Sequence, residues 1–142
     1  MTVFQISLAD VRQLAFYLAR FTMEWDEPIP EFETRSPGKL ESCLLTPFQA
    51  FGQKDLYPDL ITKASILFYL MIKNHPFENG NKRIAVTTLF CFLSLNGKWL
   101  KVHKEDLYKF AVLVAQSEPA YRAEFLSIIQ KFIKTNLVDS EV

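Results

Sequence analysis

The chain has few glycines and no net charge, and each shortage excludes a class of protein. Four glycines among 142 residues are too few for a loop-rich design. Lys plus Arg equals Asp plus Glu, at 16 each, so no net field attracts nucleic acid or an anionic membrane. We therefore expect neither as a partner, and any anion must be captured by a local site.

Cysteine and long apolar runs are also scarce. Cys43 and Cys91 are not spaced as metal ligands and do not make a disulfide framework, which favours a reducing compartment. The longest apolar run, 84–95, is too short to span a bilayer. Polar residues follow Met1, where a signal peptide would have basic and apolar stretches. We expect a soluble protein of the cytoplasm.

Helical periodicity is present from the start of the chain. Ser7 is placed to cap a first helix, which should end before Pro28. Ser36 followed by Pro37 resembles an N-cap with proline at the first helical position. This pair predicts a short helix near residues 39–45.

Two apolar helices should form the centre of the protein. The first is expected to start at Pro58 and to end near Lys73, because Pro76 disfavours a helical conformation at the residue before it. The second starts near Gly80 and is apolar on nearly every side over 84–95, which is typical of a helix buried in a bundle. Asn-Gly at 96–97 ends it.

Two amphipathic helices follow, at about 104–116 and 118–135. Residues 46–54 show neither helical nor strand periodicity and predict an extended loop or a small hairpin. No repeat or linker divides the chain. We therefore expect an all-α protein, with residues 1–142 as a single domain: a helical bundle with a central buried helix and a short extended flap.

Residues 75–83, between the two central helices, combine three kinds of chemistry. A helix N-terminus leaves its first N–H groups unpaired and attracts anions. Gly80 allows close approach to the backbone, and Lys82 and Arg83 add donors suited to phosphate. His75 can act as a general base near neutral pH. Each of these residues alone could be an ordinary turn or surface residue, but their combination is hard to explain by packing.

The nine residues 75–83, HPFENGNKR, resemble the motif of the Fic/Doc family. Because Lys82 stands between the motif's asparagine and arginine, the resemblance is greatest to the Doc, or death-on-curing, branch. The resemblance covers about residues 37–97, and it includes a flap-like loop that precedes the motif, as in the family. In this family the motif joins two core helices, which agrees with the helical prediction.

The resemblance implies a role for each motif position. His75 would be the base that takes a proton from a target hydroxyl, and Phe77 would point inward and anchor the loop. Four consecutive residues would bind the nucleotide phosphates: Gly80, Asn81, Lys82 and Arg83. ATP and Mg²⁺ are the implied cofactors. The family's metal-binding position usually carries a carboxylate, and here it carries Asn79, a weaker ligand for magnesium.

Two activities are compatible with such a motif. AMP transfer accompanies a second glycine and a second arginine, but here those positions carry Lys82 and Val86. The resemblance to Doc implies instead that the γ-phosphate of ATP faces the hydroxyl. We therefore favour a protein kinase over an AMP transferase. The implied target is a threonine of translation elongation factor Tu, with growth arrest as the result. A binding module without chemistry is a third hypothesis.

The loop at 46–54 is a candidate surface for the target protein. An extended segment can bind another chain by strand addition, and Phe48, Gln49 and Phe51 would make the contacts. The alternative is that both rings fold back into the core.

Regulation is predicted from an absence. Many Fic proteins inhibit themselves through a helix with Ser or Thr followed four residues later by Glu, and no Ser or Thr here has Glu at that spacing. We therefore expect a separate antitoxin, with a partly disordered segment that folds into a groove near the site.

Overall fold

The computed structural model describes residues 2–22 and 28–140, and it is mostly helical, which confirms the predicted all-α class. The α-helices are α1 Leu8–Asp10, α2 Phe16–Thr22, α3 Lys39–Leu45, α4 Leu60–Lys73, α5 Asn81–Leu95, α6 Lys104–Gln116 and α7 Arg122–Asn136. Four short strands accompany them: β1 Ala50–Phe51, β2 Lys54–Asp55, β3 Lys98–Leu100 and β4 Leu137–Asp139. Short 3₁₀ helices occur at Phe32–Thr34, Thr46–Phe48 and Pro119–Tyr121. None of the helices within the described ranges is long and apolar enough to cross a membrane.

The first helix begins as predicted. The Ser7 hydroxyl accepts a hydrogen bond from the Asp10 N–H, and the Asp10 carboxylate accepts one from the Ser7 N–H, which makes a capping box. Between α1 and α2 the helix widens into a π-helical stretch, Val11–Ala15. The predicted continuation toward Pro28 falls on residues 23–27, outside the described part of the chain.

Two helix starts differ from the prediction by one or two residues. The N-cap of α3 is Gly38, with φ +85°, and not Ser36. Ser36 belongs to the preceding turn, because its carbonyl accepts the N–H of Lys39 at 3.2 Å. The N-cap of α4 is Asp59, whose carboxylate accepts the N–H of Thr62 at 2.8 Å. Proline has no comparable capping oxygen, so Pro58 only precedes the helix.

Helices α4 and α5 form the centre, as expected. Every residue of α4 from 63 to 72 is buried. Helix α5 packs against α2, α4, α6 and β3, and it buries ten of its residues, among them Arg83. The buried apolar residues of the described ranges form one core cluster. The loop that carries the motif therefore connects two helices that are held firmly by packing.

The strands form two antiparallel pairs. In the first pair β1 and β2 make the small hairpin expected at 46–54, with Ala50 opposite Asp55. The second pair, β3 with β4, was not predicted from the sequence. It joins the residues that follow α5 to those that follow α7. The all-α class is correct despite this addition.

Candidate active site

The motif loop leaves its histidine at the surface. His75 follows the C-cap of α4, its side chain is exposed, and its φ of +49° lies in the left-handed region. Non-glycine residues seldom adopt this conformation, which tends to cluster at functional sites. An exposed imidazole on a constrained backbone can reach a hydroxyl on another molecule.

Phe77, two positions after His75, is buried and fixes the loop. The ring of Phe77 lies 5.4 Å from that of Phe16 and 5.9 Å from that of Phe32. The Asn81 side chain holds the Phe77 backbone at both polar groups, because Oδ1 accepts the Phe77 N–H and Nδ2 donates to the Phe77 carbonyl, each at 2.9 Å. Phe77 therefore lies where an inward anchor was predicted.

The segment before α3 crosses the same loop. The Ser36 N–H donates to the Pro76 carbonyl at 2.9 Å, and Asn79 Nδ2 lies 3.4 Å from the Pro28 carbonyl. The loop is thus attached on both sides of Phe77. These contacts restrict the loop's backbone while His75 stays exposed.

The start of α5 fits a phosphate group. Its N-cap, Gly80, has φ +79°, and a Cβ there would lie 2.8 Å from Ile29 Cγ1 and 3.4 Å from Arg83 Nη2. Lys82 is half-buried in the first turn, and Arg83 is only 3% exposed. The N–H groups at a helix start, the helix dipole and the side chains of Lys82 and Arg83 make a positive region of the kind that can bind phosphate oxygens.

The fit to a metal ion is weaker than the fit to phosphate. Within the described residues, no group of three or more His, Cys, Asp and Glu side chains could hold a metal. Asn79 offers at most a neutral amide oxygen, and its nitrogen faces Pro28. A magnesium ion here would depend on the phosphate oxygens of ATP and on water for most of its ligands.

A buried thiol lies behind the loop. Burial raises the pKa of Cys43 to about 11, and a hydrogen bond with the side chain of Asn74 acts in the opposite direction. Cys43 is fully buried, and the raised pKa keeps its thiol protonated at neutral pH, whereas reactive cysteines are partly exposed thiolates.

Comparison with known proteins agrees with this geometry. The model of the Fic/DOC family matches residues 5–93, more than half of the chain. The chain belongs to the Fic/Doc family. Among curated proteins, a Toxin Doc of Mycolicibacterium smegmatis is 34% identical over 67 residues, 47% of this chain and 52% of that protein. The chain thus spans about half the length of this relative. No solved structure shows a significant match.

The similarity to a Toxin Doc supports the predicted Doc branch of the Fic/Doc family.

The three predicted flap residues have different environments. Phe48 is half-buried, with its ring 6.3 Å from that of Phe92 in an edge-on contact. Gln49 is exposed, and Phe51 is 81% exposed at the end of β1. One ring therefore belongs to the core and the other to the surface.

Sequence analysis missed a buried lysine beside the Fic/Doc flap. Lys63 is 3% exposed, and its Nζ donates to the main-chain carbonyl of Pro47 at 3.3 Å and to that of Tyr57. A lysine is rarely this buried without partners. The signal in the sequence was a single charge within the apolar stretch 60–72.

Proposed function

We propose that the chain is a Doc-like protein kinase, which transfers the γ-phosphate of ATP to a serine or threonine hydroxyl of a target protein. The observation that carries the proposal is an exposed His75 on a fixed loop that leads directly to the start of α5. The family match and the similarity to a Toxin Doc support it.

In this mechanism His75 takes the proton of the target hydroxyl while the hydroxyl oxygen attacks the γ-phosphorus of ATP. The bond from that phosphorus to the bridging oxygen breaks, and ADP leaves. Bound Mg²⁺ would neutralise charge on the phosphates, with Asn79 as the nearest candidate ligand. The N–H groups of the first turn of α5, with Lys82 and Arg83, would stabilise the charge that moves to the leaving group.

The contact between Asn81 and Phe77 changes how one predicted role would be filled. Since the Asn81 amide is engaged with the Phe77 backbone, we assign phosphate binding at this position mainly to its main-chain N–H. The main role of the Asn81 side chain is then to stabilise the conformation of the motif loop. Gly80 would contribute by allowing close approach of the phosphate to the backbone.

Kinase activity is favoured over AMP transfer by two positions. Lys82 places an ammonium group where AMP transferases of the family have glycine. Val86, at the position of their second arginine, is fully buried and carries no donor. Both differences favour ATP bound with its γ-phosphate toward the target.

The proposed target is a threonine of translation elongation factor Tu, and a separate antitoxin would restrain the protein. The named relative supports a toxin of the Doc kind. Growth arrest would follow from inactivation of a protein that every translating ribosome needs.

Mass spectrometry of a bacterial lysate incubated with the protein, ATP and Mg²⁺ tests this function. We expect a phosphate on a Ser or Thr of one abundant protein, and a yield about 10² to 10⁴ times lower with His75→Ala. The matched control is His103→Ala, at the other, also exposed, histidine. An added AMP group would establish the alternative activity, and equal yield from folded His75→Ala would remove this residue from the mechanism.

A further inference from the structure

Lys63 carries a buried charge that the proposed reaction does not use. Burying an ammonium group is strongly unfavourable unless it is fully paired. Ten residues of helix, at 1.5 Å each, place it about 15 Å from the end of α4, where the motif loop begins. It is therefore too far from the motif loop to contact a phosphate, and another explanation for its burial is needed.

The partners of Lys63 lie on both sides of the flap. Pro47, whose carbonyl accepts at 3.3 Å, precedes β1. Tyr57, whose carbonyl also accepts, follows β2. The third partner is Asp55 in β2, with its Oδ2 at 3.4 Å and a half-exposed side chain. One ammonium group thus joins the two ends of the hairpin to α4.

A cation–π contact extends this connection to the next helix. Lys63 Nζ lies 5.0 Å from the centre of the Phe48 ring. That ring in turn packs edge-on against Phe92 of α5. The base of the hairpin is therefore tied to both central helices, which are also the helices that the motif loop connects.

The two strands of the hairpin themselves add little to its stability. Each strand has two residues, and all four are exposed. One further hydrogen bond, from the Leu56 N–H to the Gln49 carbonyl at 3.0 Å, closes the base of the pair. An isolated two-stranded ribbon of this length is marginal in water.

We propose that Lys63 is a positioning residue that fixes the hairpin for target binding. The inference rests on the proposed function and on the prediction that residues 46–54 bind the target protein. With the ammonium in place, Phe51 of β1 and Gln49 just before β1 are held in one orientation, so binding of the target does not include the entropic cost of ordering the hairpin. Without it, binding of the target weakens while the chemistry at the motif is unchanged.

Lys63→Met tests the proposal, because methionine fills the space without the charge. Lys109→Met, at an exposed lysine of α6, is the matched control. We expect hydrogen exchange at the hairpin amides to accelerate about tenfold or more in Lys63→Met, while the amides of α5 keep their protection. Unchanged exchange at the Leu56 N–H in the folded variant would overturn the inference.

Kinetics with purified translation elongation factor Tu as probe separate positioning from a merely structural role. Lys63→Met should raise the KM for this protein about tenfold and leave kcat and the KM for ATP unchanged. Faster hairpin exchange with an unchanged KM would also overturn the proposal. If wild-type protein does not modify this probe, the proposed function fails, and the exchange measurement still decides whether Lys63 fixes the hairpin.

A second variant covers the case in which Lys63→Met does not fold. Asp55→Asn removes one charge at a half-exposed position and leaves the core intact. It should change hairpin exchange and target KM in the same direction, by about threefold. No change in either quantity would then count against the proposal.

Discussion

The backbone at His75 carries a local strain that the rest of the loop supports. A left-handed conformation costs a non-glycine residue about 1 kcal/mol, and His75 adopts it with φ +49° just before Pro76. The burial of Phe77 and its two hydrogen bonds with Asn81 offset this cost. The geometry of the candidate base is thus set by its neighbours.

In the motif loop, the sequence predicted which residues are present for chemistry better than it predicted the contacts that they make. The histidine, the glycine and the two cations follow from the motif and from the chemistry of helix N-termini. The pairing of Asn81 with Phe77 could not be predicted, because an asparagine at the first helical position can face either a ligand or its own loop. The position of Pro28 and Ile29 against the loop is a tertiary contact that periodicity does not reveal.

Lys82 is the residue at which the two candidate activities differ. Lys82→Ala should lower transfer of label from γ-labelled ATP by about 10² to 10³-fold, because one cation near the transferred group is lost. Its half-buried side chain predicts little loss of stability. Lys109→Ala is the control, and incorporation of label from α-labelled ATP by the wild-type protein would show that the kinase assignment is wrong.

The sequence predicted the hairpin of β1 and β2 but not the environments of its side chains. Its existence was predicted from the lack of helical periodicity at 46–54. The different environments of its two rings were not, since Thr46–Phe48 forms a 3₁₀ turn that directs Phe48 inward before the strand begins. Similarly, β3 and β4 were missed because each has three residues and its partner is distant in the chain.

The two phenylalanines should respond differently to truncation. Phe48→Ala removes a half-buried ring and should cost about 2 kcal/mol, which lowers the Tm by about 6 °C. Phe51→Ala removes an exposed ring, so the Tm should change by about 1 °C, whereas the KM for the target protein should rise about tenfold. Thermal unfolding and steady-state kinetics measure the two effects. A large loss of Tm in Phe51→Ala would place this ring in the core.

At the scale of the whole molecule, the helical bundle was the most predictable feature. Long periodic segments such as 104–116 coincide with the observed α6, because a continuous apolar stripe leaves few alternatives to a helix. Helix starts were less predictable, as Gly38 and Asp59 illustrate. At those points one capping hydrogen bond or one turn decides between neighbouring residues.

The toxin hypothesis makes a prediction for the whole protein in a cell. Expression of the chain alone in bacteria should arrest growth, because no Ser or Thr with Glu four residues later provides an internal inhibitor. His75→Ala should be tolerated, and His103→Ala should arrest growth as the wild type does. Culture density after induction measures the effect. Normal growth with active wild-type protein would contradict both the toxin hypothesis and the need for an antitoxin.

The lack of space for a side chain between position 80 and Ile29 has an evolutionary consequence. A methyl group at position 80 would lie 2.8 Å from Ile29 Cγ1, closer than two carbon atoms can pack. Alanine at position 80 would also be strained by the left-handed backbone, φ +79°. Homologues with alanine at the position of Gly80 should therefore combine a changed backbone there with a smaller side chain at the position of Ile29. The two positions, far apart in sequence, should covary. The residue at position 29, outside the motif, would thus indicate whether a homologue has glycine or alanine at the position of Gly80.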